Sequence, residues 1–515
     1  MSTGFVGFIA IVAIINCIAF SAWRLSFVYV DRAVFRGFCT HLWSLAVLNA
    51  LFLMHIWCKL LLHGGGVPVW QVAACGTVTC LITLTSGAFL LFGRKRGLAD
   101  YYYTSLDTAP FFLIFFGLLF LCYIAPSLGE IWGAVINAVA AIGIVLTLIF
   151  KVLPLKKLRF LTSPIVFDTG NGYTVVIGTS VKTAAKLTYE YENRHFECFD
   201  SFHGEKEVSR VHGIFVPYEH LNCNGYTVSA SRVVDRPAYG GRLGDTIERN
   251  VTVFNESYSD APNLLVISGW YGNDVDWGAI KRRHENNALL VLGNTVHGLY
   301  TESSAVKSFL KPCSVFSEGK IPVFFAPGSA EHHGAYVREL FTRLGLEQAY
   351  YRFSIGEYNF TVIDSGEEKP DGDYENAGFS DCEKYLERQL VWLRDEAVPE
   401  EGYNTVISNS PDIMDIGGFG ETAAKFLRER GHSFLICGGR PVCSYTAADA
   451  ETNTTGIDTY AAGGFTKKNG FVYSLIRFSE GVASISAYAE NGDCIAQYDE
   501  KLVHDAGSAF ALINE

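Results

Sequence analysis

Residues 264–273 read Leu-Leu-Val-Ile-Ser-Gly-Trp-Tyr-Gly-Asn, a short continuous apolar run broken by glycine. Such a run, bounded by turn residues, has the pattern of a strand buried on both faces and followed by a loop. The pattern recurs downstream. Strands are expected at Leu264–Ser268, Ala288–Leu292, Val323–Ala326, Thr361–Asp364, Thr405–Ser408 and Phe434–Cys437. Helical stretches alternate with them, among them Ala335–Leu344, Cys382–Glu396 and Glu421–Arg430, the last stopped by Gly431. Strand, loop and helix in repetition predict a layered α/β domain over 262–515, with functional residues in the loops after strand ends. A strand-rich tail is expected from Gly464 to about Leu502.

Upstream of this domain the period shortens to two. Tyr173–Gly178, Ala185–Tyr191, Val211–Val216, Tyr226–Val233 and Arg249–Phe254 are rich in β-branched and aromatic residues and separated by turn residues. They predict a small β-sandwich over 165–260. Residues 1–160 are of a third kind. Five apolar runs, at 4–23, 41–62, 68–92, 109–127 and 131–153, reach the roughly 20 residues needed to span a bilayer. Basic residues follow the first, third and fifth runs (Arg24, Arg32, Arg36; Arg94, Lys95, Arg96; Lys151, Lys156, Lys157, Arg159), whereas the alternate loops hold only Lys59 and Glu130. The positive-inside rule then predicts a five-span α-helical bundle with its N-terminus outside and the C-terminal body cytoplasmic.

Charge and cysteine usage exclude several functions. The chain of 515 residues carries a net charge of −12; residues 1–160 hold +7 of it and the remainder −19. An acidic body argues against nucleic acid as partner, because phosphate binding rests on Lys and Arg. Seven of the 13 cysteines lie beyond residue 160 with no CxxC, so neither a disulfide framework nor a zinc site is indicated. Four Asn-x-Ser/Thr triplets, at Asn250, Asn255, Asn359 and Asn453, are common chance matches. The spans contain Asn16, Asn49, His55 and Asn137 but no acidic residue, a composition suited to helix–helix hydrogen bonding rather than ion transport. Gly418-Phe-Gly-Glu-Thr-Ala423 opens a helix without a clear preceding strand and reads as helix-entry glycines rather than a dinucleotide loop.

The loops after the predicted strands read Ile267-Ser-Gly-Trp-Tyr-Gly-Asn273, Leu292-Gly-Asn-Thr295, Ala326-Pro-Gly-Ser-Ala-Glu331, Ile407-Ser-Asn-Ser-Pro411 and Ile436-Cys-Gly-Gly-Arg-Pro441. In order and strand context they resemble the five signature blocks of calcineurin-like metallophosphoesterases. The preceding β-domain is similar to that of purple-acid-phosphatase-like relatives. Val362-Ile-Asp-Ser-Gly-Glu-Glu-Lys-Pro-Asp371 and His333-Gly-Ala-Tyr336 look like stretches found in bacterial members, which places the protein in the plasma membrane of a bacterium. The resemblance implies an αββα fold and two divalent cations held by carboxylates and imidazoles.

The positions that would hold those cations have changed. Those of the first block are Gly269 and Tyr271, that of the second Asn294, that of the third Ser329 (with Ala330 where the resemblance implies the catalytic histidine), that of the fourth Asn409, and those of the fifth Gly439 and Pro441. Glycine, alanine and proline offer no side-chain donor, and neutral amides and hydroxyls bind divalent cations weakly. A pair of cations generating hydroxide needs better ligands than these. The expectation is a pseudophosphatase with no catalytic residue, metal or cofactor. It would be a scaffold or ligand sensor whose partners are the bilayer, a protein or a small phosphorylated ligand; the competing expectation is an active phosphoesterase with unorthodox ligands. Tyr271, Asn294, Asn409 and Arg440 are the candidate lining of the cleft, with the Arg440 guanidinium replacing lost cationic charge. Asp274, Asp276, His297, His332 and His333 read as surface side chains, and Glu331 as a carboxylate bonding loop backbone.

Overall fold

The computed structural model describes residues 157–505 apart from 222–224, 236–241, 253–260, 365, 368, 377, 396–400, 412 and 414–418. The five expected spans, and the orientation read from their flanks, lie outside the described residues. Among the described residues no helix is long and apolar enough to cross a membrane. The described residues within Leu158–Val233 and Leu243–Glu515 form one compact unit.

It is built on two mixed sheets. The first contains β1 (Ile165–Asp168), β2 (Tyr173–Tyr191), β3 (Arg194–Phe199), β4 (Ser209–Val216), β5 (Tyr226–Asp235), β6 (Arg242–Val251), β7 (Asn263–Ser268), β8 (Ala288–Leu292) and β9 (Pro322–Ala326). The second contains β10 (Tyr351–Ile355), β11 (Tyr358–Ile363), β12 (Gly402–Ser408), β13 (Phe434–Cys437), β14 (Cys443–Thr446) and β15 (Asp458–Ala462). The tail returns to the first sheet as β16 (Gly470–Ser479), β17 (Val482–Ala489) and β18 (Cys494–Lys501). Strand order is β18-β17-β16-β7-β8-β9-β1-β2-β5-β6 in the first sheet, with β3 and β4 also on β2, and β10-β11-β12-β13-β15-β14 in the second.

Side-chain alternation layers these sheets. In β12 Val406 and in β13 Leu435 and Cys437 face one core, shared with α4 (Cys382–Asp395) and α5 (Phe419–Glu429) through Leu386, Leu393, Ala423 and Leu427. Ile407, Phe434 and Ile436, one residue out of phase, face the other core, which they share with Leu265, Ile267 and Leu289 of the first sheet. Period-two side chains on strands buried on both faces produce this division. On the first sheet, α1 (Trp277–Arg283) and α2 (Lys311–Ser317) contribute Ile280, Cys313 and Phe316 to the same core. The described unit is therefore a mixed α/β domain whose two sheets share a core.

The segment expected to form a separate sandwich is joined to this sheet. β1 pairs parallel with β9, Val166 opposite Pro322 and Phe167 opposite Val323. Its other side-chain set has a core of its own, in which Val166, Val175, Ile177, Leu187 and Val228 meet. The two predicted strands at 173–178 and 185–191 are one 19-residue strand, β2. Its register shifts between Gly178 and Thr183, where the polar stretch bends it rather than ending it.

Candidate functional site

Parallel pairing puts the C-terminal ends of β7, β8 and β9 side by side, as it does those of β12 and β13. The five loops quoted above all leave from these ends, and backbone hydrogen bonds tie them together. Gly269 N donates to Gly293 O at 3.0 Å, Tyr271 N to Asn294 O at 3.0 Å and Gly272 N to Thr295 O at 2.7 Å. Gly293 N donates to Ala326 O at 2.8 Å, and Gly438 N to Ser408 O at 3.2 Å. Tyr271 and Asn294 both adopt positive φ, +47° and +53°, which an asparagine tolerates better than a tyrosine.

Glu331 holds the centre of this arrangement. It is fully buried in the short turn Ser329–His332. Its Oε2 accepts from Asn294 N at 2.8 Å and Gly328 N at 2.9 Å; its Oε1 accepts from Thr295 N and Thr295 Oγ1, both at 2.7 Å. The carboxylate thus fastens the second loop to the third, the backbone-bonding role its place in the sequence suggested.

Asn409 fills the point where the loops meet. A Cβ on Gly328 would lie 2.6 Å from its Nδ2, one on Gly293 2.8 Å from its Oδ1, and one on Gly438 3.1 Å from its Oδ1. Three loops therefore close onto one neutral carboxamide that is 1% exposed. Its Oδ1 and the nearby Ser268 Oγ are buried without a hydrogen-bond partner among the described residues. A pair of divalent cations about 3.5–4 Å apart, ringed by charged ligands, does not fit this composition. Ser329 and Ala330 are half-buried beside it, and Gly439 and Pro441 are exposed. Among the described residues no three Asp, Glu, His or Cys side chains gather as a metal site would require.

The other expected residues separate. Tyr271 lies partly exposed with its ring stacked on His297, centroids 5.6 Å apart. Arg440 is exposed and forms no ion pair among the described residues. It follows Gly439, whose φ of +70° turns the chain outward. Asp276 caps α1, accepting from Ala279 N at 2.9 Å; Asp274 and His297 are exposed.

His333 is exposed, as expected, and His332 is half-buried; both lie against carboxylates of the loop after β11. His332 Nε2 lies 3.1 Å from Asp364 Oδ1, and His333 Nε2 contacts Glu367 Oε2. Asp364 is fully buried and also accepts from Tyr385 Oη at 2.7 Å and Gly366 N at 2.8 Å. Burial alone would lower the His332 pKa, but the adjacent Asp364 charge and hydrogen bond outweigh it and raise it. The reverse holds for Asp364, which burial would raise and His332 and its donors lower. These groups line a cavity of about 860 Å³ between α3 (Val337–Leu344) and α4. The sequence signal for it was the stretch Val362–Asp371, quoted above without a role for its carboxylates.

No protein-family model matches the sequence, and no curated protein matches it either. Among solved structures the chain is similar to that of PhoD, at 8% identity over 65% of this chain and 92% of that one, with a TM-score of 0.36. It is similar to GAP50, the anchor in the inner membrane complex of Plasmodium, at 13% identity over 49% of this chain and 94% of that one, with a TM-score of 0.37. A predicted phosphoesterase from Streptococcus pneumoniae is similar at 9% identity, over 47% of this chain and 98% of that one, with a TM-score of 0.26.

Proposed function

We propose that the protein is a membrane-anchored relative of calcineurin-like phosphoesterases that has given up hydrolysis and serves as a scaffold or ligand-binding body. The five apolar runs of residues 1–160 support the anchor, and the basic residues after alternate runs support a cytoplasmic body. The resemblance of Val362–Asp371 to bacterial members supports a bacterial plasma membrane. One observation carries the loss of chemistry. The Asn409 carboxamide sits where three other strand-end loops close onto its own, enclosed by Gly293, Gly328 and Gly438. Cation-holding and proton-transferring groups are replaced there by neutral ones, while Glu331 keeps the loops assembled. A scaffold needs the loop geometry; only a hydrolase needs the ligands.

The test is metal analysis and turnover on the full chain purified in detergent. Manganese, iron and zinc are expected well below one equivalent, with no release of nitrophenol from p-nitrophenyl phosphate or bis-p-nitrophenyl phosphate above a protein-free blank. Two equivalents of metal accompanied by turnover that chelation removes would establish the competing reading, a phosphoesterase with unorthodox ligands.

A further inference from the structure

We propose that the cavity between α3 and α4 binds a small organic anion, a phosphate ester or carboxylate. Arg338 and Arg388 would hold its anionic head, and Phe341 and Phe379 its apolar body. This site is distinct from the strand-end convergence, and its occupancy does not depend on whether the chain hydrolyses anything.

The size is appropriate. About 860 Å³ falls within the roughly 300–1,000 Å³ typical of small-molecule sites. The charge argument starts from the floor. Asp364 already accepts from His332, Tyr385 and Gly366, and Glu367 is matched by His333. Both carboxylates are already engaged by neighbouring groups, so the floor does not call for a cation. On the walls the balance differs. Arg338 projects from α3 and Arg388 from α4; both line the cavity, and neither forms an ion pair among the described residues. The rim carboxylates are Glu347 and Asp381, the latter 3.8 Å from the exposed Lys384, and neither pairs with Arg338 or Arg388. Arg343, one turn beyond Arg338, shows the contrast: its guanidinium is committed to Asp200, Glu207 and Glu339.

Two uncommitted guanidiniums on facing helices suit a planar carboxylate or a phosphate, which each can engage bidentately. The aromatic content sets the rest of the ligand. Phe341 is half-buried in the wall, and Phe379 stands 94% exposed at the rim, an unusual position for a phenylalanine unless something covers it. A bare inorganic ion would leave both unused. The ligand is therefore an anion with an apolar portion, whether a soluble metabolite or the head of a short lipid.

Isothermal titration of the full chain in detergent with phenyl phosphate, inorganic phosphate and dioctanoyl phosphatidic acid tests this. One phenyl phosphate per chain is expected, with inorganic phosphate weaker. Tighter binding of the phosphatidic acid would make the source a lipid headgroup, and tighter binding of phenyl phosphate a soluble ester. R338Q and R388Q should each weaken binding about tenfold, the scale of one lost charge-assisted hydrogen bond. T342W, on the exposed side of α3 that faces the cavity, should block binding while leaving both arginines in place. The proposal falls if none of the three probes binds, or if R338Q, R388Q and T342W all bind phenyl phosphate as the parent does. Release of phenol during the titration would overturn the non-catalytic reading instead and leave the binding site standing.

Discussion

Glu331 shows how one carboxylate can hold a site whose chemistry has gone. Its two oxygens take three backbone N–H groups and a hydroxyl from two loops, all buried. Glutamine at this position keeps the shape but turns an N–H₂ toward two of those donors, which leaves them unsatisfied and opposed. The lost charge-assisted bonds and the stranded donors together cost about 2–4 kcal/mol. Glu331→Gln should lower the urea midpoint accordingly, with an unchanged slope; a variant as stable as the parent would show that the loops are held by other means. The residue was legible in the sequence because the resemblance puts an acidic side chain at this place in the third loop. Arg440 was not. Cys437 and Gly438 before it are buried while the chain from Gly439 to Pro441 is exposed; the glycine permits the turn, but its type does not say that the chain then runs out to solvent.

The junction between α5 and β13 makes the corresponding argument for an element. α5 ends as Gly431 takes φ +77° and His432 N donates back to Leu427 O at 3.0 Å, a C-terminal cap of Schellman type. The same turn buries the His432 imidazole, with Nε2 3.0 Å from Thr361 Oγ1 and Nδ1 3.2 Å from Leu427 O. Burial pushes its pKa down to about 4 from an ordinary 6.5. The folded state therefore holds it neutral while the unfolded chain takes up a proton below pH 6.5. Its contribution is complete above that pH and is lost as pH falls from 6.5 to 4, up to about 3 kcal/mol in all. Urea unfolding of the parent should weaken across this window, and His432→Gln should remove much of the slope; an identical slope in the variant would assign it to other groups. Elements were readable where burial on both faces made continuous apolar runs, as in β7, β8 and β13. They were misread where polar residues are buried. Thr179 and Thr183 interrupt the pattern of β2 yet bond one another at 3.2 Å, and Thr183 reaches His212 at 3.0 Å, so the strand runs through them. β6 was missed over most of its length because its exposed charged residues hide the alternation.

At the scale of the whole described unit, the question is whether the β-rich N-terminal strands and the α/β layers unfold as one. The β1–β9 pairing makes them one sheet, and α3 fastens them a second time. Gly213 of β4 lies so close to α3 that an added Cβ would sit 1.8 Å from Arg343 O. Beside it the Arg343 guanidinium reaches Asp200 at 3.0 Å, and Asp200 lies 2.8 Å from His212 Nδ1. Arg343, Asp200 and His212 are almost fully enclosed, whereas Glu207 and Glu339 on the outer side of Arg343 reach solvent, so removing the guanidinium strands Asp200 above all. Arg343→Met should cost about 3 kcal/mol, and adding Asp200→Asn should restore part of it, since the second change removes the charge left unpaired. The distribution of the loss is the sharper test. If sheet continuity governs, native-state hydrogen exchange should give the slowest amides of β2 and β8 the same opening free energy, and Arg343→Met should lower both equally. Faster exchange confined to β2, with β8 unmoved by the substitution, would mean that the N-terminal strands open on their own despite the shared sheet. In that case whatever pulls on Leu158 could loosen them without disturbing the strand-end loops.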